Sequence, residues 1–157
     1  MKNLMLFLMI VCSMSVLGQT AGDRLAENLN SNGKTIKKVV VPGSEMGDGM
    51  NSAINKLSWV FGKGMKKMLK DIWSNMDSAT IYTISQEDDK ATAYVSDVIN
   101  SLNDMGYMTE NGEDGQKTYY KVDNGAIKEL IIYKSLENKK CLSLMVVKCN
   151  IKDNENN

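Results

Sequence analysis

The residue types that perform most acid–base and nucleophilic chemistry are scarce in this chain. None of its 157 residues is histidine, which removes serine–histidine and cysteine–histidine pairs and histidine-ligated zinc. Cys141 and Cys149 lie in an apolar stretch, CLSLMVVKCNI, where a thiolate is disfavoured. We therefore predict no catalytic residues, no metal site and no cofactor, and we expect that the protein is not an enzyme.

The same two cysteines could instead form a disulfide. If the stretch is a single strand, however, their Cα atoms lie about 26 Å apart, whereas a disulfide needs them within about 7 Å. We therefore expect two buried thiols, unless a turn divides the stretch.

The acidic clusters have simpler structural interpretations than metal binding. Glu87, Asp88 and Asp89 stand at the start of a predicted helix, where carboxylates cap the helix and favour its dipole. The run Glu110–Gly115 has the composition of a calcium loop but lacks the alternating ligands and the closing glutamate of one. We predict a helix start and a polar turn.

A basic, methionine-rich segment is the most suggestive feature of the sequence. One side of the predicted helix carries Lys63, Lys66, Lys67 and Lys70, and the other side is apolar and includes Trp73. Such a helix can pack on its own sheet, lie on a membrane surface or enter a partner's groove. We treat these five residues as a candidate interaction surface.

The N-terminus predicts export. Lys2 precedes the apolar run Leu4 to Val11, and a small-residue cleavage site ends at Gly18 and leaves Gln19 as the first mature residue. The residue directly after the cut is not a cysteine, so we expect no lipid anchor and a periplasmic or secreted protein. The chain has 19 basic and 19 acidic side chains, and this zero net charge argues against nucleic-acid binding.

The remaining pattern predicts an α+β domain over residues 19–151, after a signal peptide over residues 1–18 and before a polar tail over residues 152–157. Helices are expected at Gly22–Leu29, at Met50–Met76 as one helix or two, and from a Ser85 cap through Met105 to Gly106. Strands are expected around residues 36–41 and 78–85, and at Thr118–Val122, Ala126–Lys134 and Cys141–Ile151. The last strand is apolar on both faces and should be central.

These elements predict a two-layer sandwich. Its mostly antiparallel sheet would have about five strands, with two or three helices on one face. The other face of the sheet would then be available to a ligand or a partner.

The order of elements resembles a family of small exported proteins of unknown function from Bacteroides-group bacteria. The resemblance covers about Asp23 to Ile151. It rests on a short strand that opens a helix (Ile81, Tyr82, Ser85, Asp88), on the hairpin strand Tyr119-Tyr120-Lys121-Val122, and on the strand Ile127-Lys128-Glu129-Leu130-Ile131. It implies export and this fold, and it supplies no site residues.

The sequence therefore predicts a non-catalytic binding or interaction module of the cell envelope. Its partner would be an envelope protein or a small ligand, and its oligomeric state is left open. The alternatives are a peripheral membrane protein that uses the helix near residues 61–76, and a hydrolase built on two carboxylates.

Overall fold

The computed structural model describes residues 19–43 and 75–152, which form a mixed α+β fold. Its helices are α1 (Ala21–Asn28) and α2 (Asp89–Ser101). Its strands are β1 (Ile36–Pro42), β2 (Met76–Ser85), β3 (Met108–Asn111), β4 (Lys117–Asp123), β5 (Ala126–Leu136) and β6 (Cys141–Lys152). They form one antiparallel sheet in the order β1-β2-β6-β5-β4-β3. In these described residues, no helix is long and apolar enough to cross a bilayer.

Helix α1 is fixed at its start by a capping box. The Thr20 hydroxyl accepts a hydrogen bond from the Asp23 N–H, and the Asp23 carboxylate accepts one from the Thr20 N–H. These bonds satisfy two of the backbone donors that a helix start leaves open. The predicted helix is confirmed to within one residue, and its Leu25 is fully buried.

Helix α2 carries the predicted apolar stripe, with Ala91, Val95 and Val98 buried. Its N-cap is Asp88, which accepts from the Ala91 N–H at 3.0 Å, so the prediction of a Ser85 cap is wrong. The carboxylate of Asp88 has the reach to cap the helix itself. The helix ends at Ser101, and turns lead to Gly106, whose positive φ of 79° suits glycine.

The sheet has six strands because a short edge strand escaped prediction. All four residues of β3 are exposed, so the segment has no apolar alternation by which a sequence reveals a strand. The prediction that the last strand is central is confirmed, since β6 lies between β2 and β5. Met76, which fits the helical spacing, begins β2 instead. The rest of the predicted helical region, residues 50–74, lies outside the described residues.

Both faces of the sheet centre are buried. The helices pack on one face, against the core that contains Tyr82, Ile131 and Leu144. On the other face, which we call the second face, Ile132, Met145 and Val147 are also fully buried. The expectation of an open second face is therefore wrong at its centre, because β5 and β6 carry apolar residues at both alternate sets of positions.

A bulge in β5 changes which side chains share a face. Lys121 of β4 pairs with Glu129, and the next residue, Val122, pairs with Ile127, so Lys128 is an extra residue in β5. As a result, Ile127 joins the second-face cluster, while Ile131 lies on the helix-covered face. Simple alternation along a strand would place Ile127, Glu129 and Ile131 on one face. A bulge inserts a residue and breaks that alternation.

Candidate functional site

The residues predicted as an interaction surface (Lys63, Lys66, Lys67, Lys70 and Trp73) lie outside the described residues, as does Gly18. The membrane-surface alternative that depends on them stays a prediction. Gln19, the predicted first mature residue, immediately precedes the Thr20 cap, and its side-chain amide donates to Glu27 at 2.5 Å. A mature chain that begins at Gln19 would therefore keep the complete capping box of α1.

Cys141 and Cys149 are both buried and free, as the strand geometry predicted. They stand in the same strand, β6. Burial raises the pKa of the Cys149 thiol to about 11, so at neutral pH it is a protonated, apolar group. Thiolate chemistry is therefore disfavoured at this position.

A pocket of about 170 Å³ opens where β1 begins, β2 ends and β6 begins. It is smaller than the ~300 Å³ of sites that enclose a whole drug-sized ligand, and suits a single small group. Its lining includes four lysines and no carboxylate: Lys34, Thr35, Lys37, Thr83, Ser85, Lys139, Lys140 and Cys141. The chain as a whole has zero net charge, so this clustering of positive charge is local.

The polar lining continues the second face of the sheet. Alternate residues of β2 on this face change from apolar at Ala79 and Ile81 to hydroxyl-bearing at Thr83 and Ser85. Lys37 lies opposite Thr83 in the register of β1 and β2. One end of the second face therefore combines hydrogen-bonding hydroxyls with ammonium groups, whereas its centre is apolar.

A well-ordered loop positions the first two lining residues. The Asn32 side-chain oxygen accepts from the backbone N–H groups of Lys34, Thr35 and Ile36 at 2.9, 2.8 and 3.0 Å. The Thr35 hydroxyl donates to Asp88 at 2.6 Å. Two hydrogen bonds lower the pKa of Asp88: the larger effect comes from the Thr35 hydroxyl, and the smaller from the Ala91 N–H. Because its backbone is held at these points, the loop is preorganised.

The opposite wall is a turn with an unusual backbone conformation. Lys140 has a positive φ of 47°, which costs free energy for any residue except glycine. Two backbone hydrogen bonds of Lys140 hold the turn. The Lys140 N–H donates to the Glu137 carbonyl at 3.1 Å, and the Lys140 carbonyl accepts from the Gln86 N–H at 2.9 Å. The lysine backbone at the pocket is thus tied both to its own turn and to the segment after β2.

The sequence-based argument against catalysis held that the chain has no Ser-x-x-Lys motif, and this is wrong, because Ser31 and Lys34 have that spacing of a serine nucleophile and a lysine base. The Ser31 hydroxyl donates to the Ile36 carbonyl at 3.1 Å. Both residues lie in the loop before β1. The described contact therefore gives Ser31 a role in ordering that loop.

A second polar cluster is enclosed between α1 and the sheet. Glu129 is only 1% exposed. Its Oε1 accepts from the Gly22 N–H at 2.9 Å and from the Tyr107 hydroxyl at 2.7 Å, and its Oε2 forms an ion pair with Lys148. Lys148 also contacts Asp23 at 3.0 Å. These bonds attach the first turn of α1 to β5 and β6.

The charges of this cluster stabilise one another. Burial disfavours the Lys148 ammonium, but the Glu129 and Asp23 carboxylates outweigh it and raise the pKa of Lys148. Burial likewise opposes the Asp23 carboxylate, yet hydrogen bonds from Thr20 and Lys148 lower its pKa. The Asp23 contribution to stability is present above its ordinary pKa of 3.8 and is lost as the pH falls through the lowered value. The Lys148 contribution is present below 10.5 and is lost as the pH rises through the raised value.

The two clusters differ in what they can do. Glu129 is enclosed and fully engaged, so this cluster fixes a helix. The pocket lysines are exposed and surround an open space, so they can receive a ligand. The pocket provides no pair of carboxylates for the hydrolase alternative, which stays a prediction. Among the described residues, no group of three or more histidine, cysteine or acidic side chains is arranged to hold a metal ion.

Comparison with known proteins assigns no role to this site. The chain matches no protein-family model, no curated protein and no solved structure. The resemblance to exported Bacteroides-group proteins therefore rests on the sequence motifs alone and stays a prediction.

The pocket lysines were missed by sequence reasoning because they come from two separate segments. Lys34 and Lys37 flank the start of β1, whereas Lys139 and Lys140 lie just before β6. The short basic sequences KTIKK and ENKK were the only signals, and neither is specific. The sheet brings them together through the neighbouring strands β1, β2 and β6.

Proposed function

We propose that this protein is an exported, non-catalytic binding module that takes an anionic group in the lysine pocket. The observation that carries the proposal is the convergence of Lys34, Lys37, Lys139 and Lys140 on one small space without an acidic lining residue. Ammonium groups form charge-assisted hydrogen bonds with phosphate, sulfate and carboxylate oxygens, and hydroxyls add neutral donors.

Preorganisation supports this proposal. The loop that carries Lys34 and the turn that carries Lys140 are both fixed by backbone hydrogen bonds. A ligand would then order only the lysine side chains, which limits the entropic cost of binding. The positive φ of Lys140 is also the kind of local strain that is found at binding sites.

Export is part of the proposal and rests on the N-terminal pattern of Lys2, the apolar run and the site at Gly18. The unpaired Cys149 is compatible with this destination, because it is buried and its thiol is protonated at neutral pH. The pocket chemistry suits phosphate, sulfate and carboxylate groups.

Neutralising the pocket should weaken anion binding. We expect Lys34→Gln, Lys37→Gln and Lys140→Gln together to weaken binding of tripolyphosphate by at least about tenfold, the effect of losing one or two charge-assisted hydrogen bonds. Isothermal titration calorimetry at low and high salt measures this change. Binding to the unmodified protein should weaken as salt rises.

The control removes the same charge elsewhere. Lys90, Lys117 and Lys152 are exposed and do not line the pocket, so their joint replacement by glutamine should leave the affinity within about twofold, because distant surface charges are screened. Parallel titrations with citrate and a sulfated disaccharide distinguish the three anionic groups. Equal losses in both triple variants, or no binding of any of the three probes, would contradict the proposal.

A further inference from the structure

The strand next to the pocket, β1, is one of the two edges of the described sheet. In the described sheet β1 pairs with β2 alone, so half of its backbone N–H and C=O groups point away from any strand. Val39 and Val40 are 53% and 54% exposed, and they lie on opposite faces of the strand. This edge therefore offers both backbone hydrogen bonds and apolar contact.

Lysine and proline often protect an edge strand from association, but here they leave its middle accessible. The Lys38 ammonium lies 5.5 Å from the centre of the Tyr82 ring, on the neighbouring strand. Lys37 lines the pocket, and Pro42 is the last residue of β1. The backbone around Val39 and Val40 lies between these residues.

The position of the pocket at one end of β1 predicts which end of an added strand would reach the lysines. The pocket lies at the start of β1, beside Lys34 and Lys37. Every described pairing in the sheet is antiparallel. A strand added in the same manner would run opposite to β1, so its carboxyl end would arrive at the lysines.

We propose that the occupant of this surface is an extended peptide that adds to β1 as an antiparallel strand and places its C-terminal carboxylate in the lysine pocket. The inference rests on the proposed anion-binding function and names its partner. Backbone hydrogen bonds to an edge supply affinity, and pockets for the end group and for side chains supply specificity. Apolar residues shortly before the C terminus would contact Val39 and Val40.

The test uses a library of random short peptides with free C termini, and a second copy of the library in which every C terminus is amidated. We expect the full-length protein to bind the free-carboxyl library, to select β-branched or apolar residues near the C terminus, and to bind the amidated library at least about tenfold less. Removing alternate backbone N–H groups of a selected peptide by N-methylation should cause a comparable loss, because those groups pair with the strand. The variant Lys34→Gln, Lys37→Gln, Lys140→Gln should lose the binding.

Other results would distinguish a failure of the peptide proposal from a failure of the anion-binding proposal. Failure to select any peptide, equal binding of both libraries, or insensitivity to N-methylation at every position would each overturn the peptide proposal. If tripolyphosphate still binds in that case, the anion-binding pocket stands and only its occupant is wrong. If neither the peptides nor tripolyphosphate bind, both proposals fail.

Discussion

Replacing Glu129 with alanine should lower the free energy of unfolding by about 3–5 kcal/mol, the usual cost of breaking a buried ion pair by removing one partner. The side chain is 1% exposed and binds the Gly22 N–H, the Tyr107 hydroxyl and Lys148. Alanine would leave the Gly22 N–H and the Tyr107 hydroxyl, whose hydrogen bonds to Glu129 are buried, without that acceptor. Urea denaturation monitored by circular dichroism measures the change.

Two variants calibrate this result. Glu129→Gln keeps the shape and the oxygen acceptor but removes the charge, so its loss should be smaller than that of alanine. Glu87 is an exposed glutamate, and Glu87→Ala should change stability by no more than about 0.5 kcal/mol. If Glu129→Ala costs no more than Glu87→Ala, the buried cluster does not hold α1 to the sheet.

Gly22→Ala should destabilise the protein by about 1–3 kcal/mol through overpacking. A Cβ at this position would lie 2.6 Å from Glu129 Oε2 and 2.6 Å from Val146 Cγ1. Neither atom can easily move, because the carboxylate is held by its three partners and Val146 is buried. Helix propensity alone predicts a change in the other direction, because it favours alanine over glycine by about 1 kcal/mol. Thermal unfolding of the two proteins measures the difference.

Ala26, one turn later on the exposed side of α1, provides the matched control. Ala26→Gly makes the reverse exchange without any close contact, and should cost up to about 1 kcal/mol from propensity alone. Both exchanges are thus expected to destabilise the protein, for different reasons. A higher melting temperature for Gly22→Ala would show that the close approach of α1 to Glu129 is not required.

The elements that sequence predicted well are those whose pattern is local. The stripe of Ala91, Val95 and Val98 identifies α2 without reference to the rest of the chain. The two apolar faces of β6 likewise reveal a central strand. Strand β3 has no such pattern, because all of its residues are exposed and only its pairing with β4 makes it a strand.

The candidate site was hidden for the same physical reason. Its lysines come from two segments that are far apart along the chain, and charged residues are common on any surface. Glu129 left a clearer signal, since it interrupts an apolar stretch of β5. Its partners could not be inferred, because Gly22, Tyr107 and Lys148 belong to three other segments. A charged residue within an apolar strand predicts only that some partner exists.

The central position of β6 also limits how much of the sheet can form before the end of the chain is available. Strands β1 and β2 pair with each other, and β3, β4 and β5 form a separate antiparallel series. The two groups are joined through β6, which follows all of them in the chain. A chain that crosses a membrane from its N-terminus would therefore present two incomplete sheets with unpaired edges until β6 arrives. Such edges are prone to aggregation during slow, long-range β pairing, so the protein would depend on rapid release, or on a chaperone, during that interval.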